Sequence, residues 1–129
     1  YFGETDKFGN LKRIWTDDLK LSDYERLNNR RNSPGKLPVD EAGHMFGDRF
    51  GGSRYLDNIV SQLRDLNQIE YKAFENEWAR ALHETPPKKV AIDVEIETRG
   101  KGPNERPTAF IVKYKIGNKQ FKPVKIPNK

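Results

Sequence analysis

DNIVSQLRDLNQIEYKAFENEWARAL, residues 57–82, is the stretch on which the rest of the chain turns. From Leu66 onward Ile69, Ala73, Phe74, Trp78, Ala81 and Leu82 recur at three- and four-residue steps, the period of an amphipathic helix. Asn67 reads as its N-cap, with Glu70 in the capping-box position. Pro86-Pro87 stops the helix, because proline has no amide hydrogen and its ring clashes with the preceding turn. Asn67, Tyr71 and Glu75 are spaced i, i+4, i+8, which sets them along one side of the helix near its start. A capping asparagine followed by a solvated glutamate accounts for Asn67 alone. It leaves Asn58 and Gln62, just upstream, without a reason.

Upstream, residues 39–66 hold no sustained helical or strand period. Gly43, Gly47, Gly51 and Gly52 free the backbone there, so irregular loops and short strands are expected, and a loop segment of this length in a compact domain is usually functional. Residues 1–38 are punctuated by turn formers. Asp6 to Asn10 reads as a turn, Leu11 to Trp15 as a short strand, and Asn28 to Pro38 as a surface loop with Pro34-Gly35 as its strongest turn signal. Downstream the period switches to two. Val90, Ile92, Val94 and Ile96 alternate with Ala91, Asp93, Glu95 and Glu97, a half-buried strand. Arg99 to Pro107 is a loop. Phe110, Val112, Tyr114 and Ile116 alternate with Ile111, Lys113 and Lys115, and Gly117-Asn118 turns the chain towards a third strand around Phe121. A loop-rich first half, one helix and an antiparallel meander make an α+β arrangement.

Length and composition bound what this fold can do. The 129 residues suit one domain. Hydrophobic residues make up 34% and charged residues 33%, so the core is modest and the surface heavily charged. Two Trp, seven Phe and five Tyr argue against disorder. The net charge of +5 mildly favours a polyanionic partner, and the cations are unevenly placed. Lys113, Lys115, Lys119, Lys122, Lys125 and Lys129 crowd the C-terminal end, and Arg26, Arg30 and Arg31 form a second cluster. Cysteine is absent, which excludes disulfides and thiolate metal sites. No apolar run approaches the roughly 20 residues of a membrane-spanning helix, and no signal peptide opens the chain. Starting on Tyr rather than Met, the sequence is expected to be a piece of a longer protein.

Two histidines are present. His83 closes the helix, where a cation suits the dipole, and reads as a surface or structural residue. His44 sits in Asp40-Glu41-Ala42-Gly43-His44 and would carry little weight alone. With Asn58, Gln62, Leu66-Asn67 and Glu75 downstream, it resembles the signature of the DNA/RNA non-specific endonucleases of the His-Me finger (ββα-metal) superfamily. In that signature an Asp-Arg-Gly-His strand is followed by Asn, Pro-Gln, Leu-Asn, an aromatic and Glu on one helix. Asp40-x-x-Gly43-His44, Arg49-Phe50-Gly51-Gly52 and Asp57-Asn58 are similar to the branch found as toxin domains at the C-termini of secreted bacterial proteins. The likeness covers roughly residues 36–82, with an echo at Arg106-Pro107-Thr108. Ala42 stands where the signature has Arg, Glu41 where it has Asp, and Ser61 where it has Pro.

The resemblance implies a ββα-metal motif with one main helix packed on an antiparallel sheet, in a single nuclease domain over 1–129. Its His-Me finger core would lie at about 36–84 and its C-terminal β-meander at about 88–125. It implies that His44 is the general base, since a neutral imidazole takes a proton near physiological pH. The side-chain carbonyl of Asn67 would be the one direct protein ligand of Mg²⁺, with Mn²⁺ able to substitute. Glu75 would hold water on the metal, and Asn58 would orient the His44 region. A hard divalent cation prefers oxygen ligands and keeps several waters. With Ala42 in the place of the phosphate-binding arginine, that role falls to Arg49, Arg54, Arg31 or Arg64, in that order, because a guanidinium fork suits phosphate. The lysine-rich end would make sequence-independent contacts to DNA, and RNA as a further substrate. The branch also implies secretion within a longer bacterial protein, action in the cytoplasm of a target cell, and a cognate immunity protein. A metal-independent ribonuclease toxin and a non-catalytic nucleic-acid-binding module are the alternatives. The first would spare DNA and need no cation, and the second would be unaffected by loss of His44.

Overall fold

A computed structural model describes residues 1–21, 35–45, 50, 59–64 and 66–128. In chain order the elements are β1 (Phe2–Thr5), β2 (Leu11–Thr16), β3 (Asp40–His44), β4 (Ile59–Leu63), a π-helical turn (Leu66–Tyr71), α1 (Lys72–Leu82), β5 (Val90–Glu97), β6 (Ala109–Ile116), β7 (Lys119–Gln120) and β8 (Val124–Pro127). The architecture is α+β, as the order of sequence periods predicts.

The period-two segments build the main sheet. β5 and β6 pair antiparallel over their whole length, Val90 opposite Ile116 and Glu97 opposite Ala109. Val90, Ile92, Val94 and Ile96 of β5, and Phe110, Val112 and Tyr114 of β6, are all buried. Both strands therefore put their apolar sets on one face, and α1 covers it with Trp78, Ala79 and Ala81. The strand order is β1-β2-β5-β6-β7, with β8 also pairing β6. The meander expected at the C-terminal end is present as β5-β6-β7. The sheet is wider than that, because β2 from the start of the chain is the other neighbour of β5, with Ile14 opposite Val94. β1 and β8 have no signal in the sequence. Four-residue strands carry too few alternations to show a period, and only pairing with a longer neighbour defines them.

The opposite face of the sheet is polar and half-exposed. Arg13 forks onto Asp93 through Nε at 3.0 Å and Nη2 at 2.7 Å. Its guanidinium lies 4.2 Å over the Trp15 ring, which stacks in turn on Phe2. Lys113 meets Glu95 at 2.6 Å and Lys125 meets Glu97 at 3.3 Å. Part of the C-terminal lysine charge is thus offset by the acids of β5. Arg26, Arg30, Arg31 and Lys129 lie outside the described residues.

The helix differs from its expected form at its first turn. Residues 66–71 form a π turn, whose i→i+5 bonding inserts an extra residue and rotates the downstream positions. Ile69 is accordingly 65% exposed instead of facing the core, and Ala73 is exposed as well. Tyr71 and Leu66 take the inward positions at 0% and 2%. Asn67 lies inside this turn and does not cap it; its side chain bonds Glu41 on β3 instead. α1 itself starts without a side-chain cap bond. At the other end the helix stops at Leu82 with His83 as C-cap, whose amide donates to the Ala79 carbonyl at 3.0 Å. His83 is exposed, as expected.

Candidate active site

β3 and β4 form an antiparallel hairpin of their own, with Asp40 opposite Leu63, Glu41 opposite Gln62, Gly43 opposite Val60 and His44 opposite Ile59. The π turn follows β4 directly. Two strands and a helix therefore meet in the ββα order that the signature implies. His44 is the last residue of its strand, which puts it at the hairpin end where the chain leaves the ladder. Of His44 the structure describes the backbone alone.

Gly43 explains why the hairpin and helix can come together. A Cβ on this residue would overlap the Gln62 side-chain oxygen and come 2.9 Å from Asn67 Oδ1. Only glycine lets the helix's first turn approach the strand this closely. Asn67, half-buried, donates from Nδ2 to Glu41 Oε1 at 3.4 Å, a long contact that nevertheless fixes which end of the amide faces which way. The nitrogen turns to the Glu41 carboxylate and Oδ1 turns to Gly43. A side-chain carbonyl held on a strand–helix junction suits one direct bond to a hard cation that keeps most of its waters. Among the described residues no group of three or more His, Cys, Asp or Glu side chains could form an all-protein cage. Such a carbonyl fits Mg²⁺, with Asn67 as the residue that would hold it; Glu75, the other residue expected to serve the metal, is half-buried on α1.

Gln62 is fully buried, and both its amide atoms lack a hydrogen-bond partner among the described residues. An unpaired buried amide costs stability, and such costs gather at functional sites. Tyr71, one turn along from Asn67, is fully buried too. Its hydroxyl donates to the Met45 carbonyl at 2.5 Å, and its ring meets Trp78 edge-on at 6.1 Å. Burial, and then the charge of Glu75, push the phenol well above its ordinary value.

The other end of β3 is held by ions. Asp40, whose side chain is wholly buried, receives Arg106 Nε at 2.5 Å and Nη2 at 2.7 Å, together with the Leu37 amide at 3.0 Å. Burial alone would raise the Asp40 pKa, but the Arg106 bonds and the Leu37 amide outweigh it and hold the carboxyl below its ordinary value. Arg106 Nη1 continues to the Asn128 carbonyl. The buried Asn128 amide donates to the Ser61 and Pro107 carbonyls and accepts the Leu63 amide at 2.9 Å. Asn128, just beyond β8, thus ties the main sheet to β4. A 570 Å³ cleft beside this clamp is lined by Gly35, Leu37, Arg99, Arg106, Thr108 and Asn128 among others. It includes neither Gly43 nor Asn67, so its size says nothing about the chemistry.

Of the residues expected to act, His44 (by its backbone) and Asn67 come to one strand–helix junction, and Glu75 lies further along on α1. Asn58, Arg49, Arg54 and Arg31 lie outside the described residues. Arg64 is exposed, and its amide donates to the Val39 carbonyl. Glu41, the Tyr71–Met45 bond and Asn128 are additions that sequence reasoning misses. Glu41 had a sequence signal, since strand alternation puts it on the same side as Gly43. Asn128 had none.

The chain matches the family model "DNA/RNA non-specific endonuclease" over residues 1–118. It is 31% identical over 124 residues to the type VII secretion system protein EssD of Staphylococcus aureus strain USA300, and equally to that of strain NCTC 8325. These alignments take in 90% of this chain but 20% of EssD, so the chain spans about a fifth of those relatives. The crystal structure of NucA from Streptococcus agalactiae with magnesium ion bound superposes with a TM-score of 0.69 at 16% identity, covering 99% of this chain and 69% of NucA. That likeness is one of fold.

Proposed function

The chain belongs to the DNA/RNA non-specific endonuclease family, and on that premise we propose that it is a divalent-cation-dependent nuclease in which His44 is the general base and Asn67 holds the metal. The observation that carries this reading is the Asn67 amide, turned by Glu41 so that its oxygen faces Gly43 beside His44. When bound, Mg²⁺ supplies positive charge for the phosphate and the leaving oxygen. The protein does the rest. His44 takes the proton of the attacking water. Asn67 and Glu75 hold the cation, and Mn²⁺ substitutes for Mg²⁺. Asn58 orients the His44 region, and Arg49 or Arg54 meets the phosphate. Cationic side chains hold the nucleic-acid backbone without reading bases.

The likeness to part of a type VII secretion system protein supports a toxin domain carried to its target by a longer secreted polypeptide. Such a domain acts in the target cell's cytoplasm and needs a cognate immunity protein, acidic enough to cover a basic cleft. Copurification of a neighbouring gene's product that abolishes cleavage is the check on that part.

The decisive panel is a time course on supercoiled DNA, single-stranded DNA and RNA, with and without EDTA, for the parent and His44→Ala. The reading expects nicking of DNA that EDTA and His44→Ala both abolish. Cleavage of RNA alone that survives EDTA replaces it with a metal-free ribonuclease. Binding without cleavage in either protein replaces it with a non-catalytic module.

A further inference from the structure

Tyr71 does more than fill the core. Its ring needs only apolar neighbours, and Trp78 at 6.1 Å supplies one; phenylalanine would pack there equally well. The hydroxyl is a different matter. It is buried with the rest of the side chain, and a buried hydroxyl is tolerated only when paired. Its partner is a main-chain carbonyl on another element, that of Met45 at 2.5 Å.

The position of that carbonyl gives the bond its meaning. Met45 follows His44 immediately, and the β3–β4 register ends at His44 opposite Ile59. Met45 itself is fully buried. Tyr71 is the last residue of the π turn whose second residue is Asn67. One hydroxyl therefore joins the turn that carries the metal-holding amide to the strand end that carries the base. The extra residue of the π turn is what brings position 71 inward, at the cost of exposing Ile69. Asp40 is clamped at the far end of β3 by Arg106, so the strand is held at both ends.

We infer that Tyr71 is a positioning residue for the cleavage step: its hydrogen bond to the Met45 carbonyl fixes the separation between His44 and Asn67. This rests on the assignment of those two residues in the proposed function. Tyr71 is too buried to touch a nucleic acid, so its loss leaves substrate binding alone. It acts on turnover, because a shift of about 1 Å between reacting groups can cost on the order of a hundredfold in rate.

The test compares kcat and KM for DNA cleavage in the parent, Tyr71→Phe, Phe74→Leu and His44→Ala, at a temperature where each is folded by circular dichroism. Phe74 stacks on the same Trp78 and meets Tyr114 of the main sheet, so Phe74→Leu loosens the core without removing the Tyr71 hydroxyl. Tyr71→Phe is expected to lower kcat about tenfold or more with KM within about twofold. Phe74→Leu is expected to keep the parent kcat, and p-aminophenylalanine at position 71, which restores a donor, is expected to recover most of the loss. An unchanged kcat in Tyr71→Phe, an equal fall in Phe74→Leu, or no recovery with the donor-bearing analogue would overturn the inference. A Tyr71→Phe chain that does not fold would overturn it too, since the bond would then be structural. Turnover surviving in His44→Ala sinks the underlying assignment instead, and the two failures are told apart in one experiment.

Discussion

Gly43 and Gln62 are the residues at which the site's demands oppose ordinary packing. A methyl at position 43 meets the Gln62 oxygen and crowds Asn67 Oδ1. Gly43→Ala is therefore expected to cost about 1–3 kcal/mol, the usual range for overpacking, and to lower nicking activity together with the melting temperature. Gln62 predicts the opposite sign for stability. Both its amide atoms are unpaired among the described residues, and replacing such a group by an apolar one of similar size removes a desolvation penalty of about 1–3 kcal/mol. Gln62→Leu should raise the urea midpoint while lowering cleavage; a midpoint below the parent's would show that the amide stabilises the fold. Neither residue's environment is legible in the sequence. Gly43 reads there as a flexible position beside a histidine, whereas its work is steric. Gln62 stands out only because its spacing to Asn67 resembles a family's, and its burial against Gly43 shows only in the folded chain.

Element by element, legibility tracks the strength of the local period. β5 and β6 alternate over eight residues each, and their bounds fall where the alternation predicts. The helix is legible from Leu66 to Leu82, but its first turn is not. Nothing in Leu66-Asn67-Gln68-Ile69-Glu70-Tyr71 announces an extra residue per turn, and the local preference for Asn67 as a cap gives way to its tertiary partner Glu41. β3 and β4 pair so that Asp40 faces inward to Arg106, and this clamp yields two expectations. Arg106→Ala leaves a buried charge uncompensated and should cost about 3–5 kcal/mol, read as a lower urea midpoint. Arg106→Lys should lose much of the same stability, because a single ammonium cannot make the forked contact. The acid limb depends on the same pair. With the Asp40 carboxyl held below its ordinary value in the fold, its stabilisation is complete above the unfolded value of about 3.9 and is lost as pH falls through the lowered one. Asp40→Asn should therefore flatten the fall in stability below about pH 4 relative to the parent; parallel acid limbs would contradict the clamp.

For the whole molecule, the hairpin and its helix are held against a sheet assembled from both ends of the chain. β2 joins β5, β8 joins β6, and Asn128 bonds Ser61, Leu63 and Pro107 at once. Contacts this far apart in sequence leave no periodic trace, which is why the strand at Leu11 is legible but its pairing with β5, and that of β8 with β6, is not. The fold class is legible because one helix and two long strands carry it. The junction of His44 and Asn67 is legible through the family resemblance, while Glu41, Tyr71 and Asn128, which support it, emerge only once the chain is folded. In the proposed mechanism the base and the metal-holding amide are separate groups, on separate elements, serving one reaction. Titration calorimetry with Mg²⁺, paired with plasmid nicking, tests it on the parent, Asn67→Ala and His44→Ala. Asn67→Ala is expected to lose both Mg²⁺ binding and nicking, and His44→Ala to bind Mg²⁺ as the parent does without cutting. Parent-like Mg²⁺ binding and nicking in Asn67→Ala would contradict it.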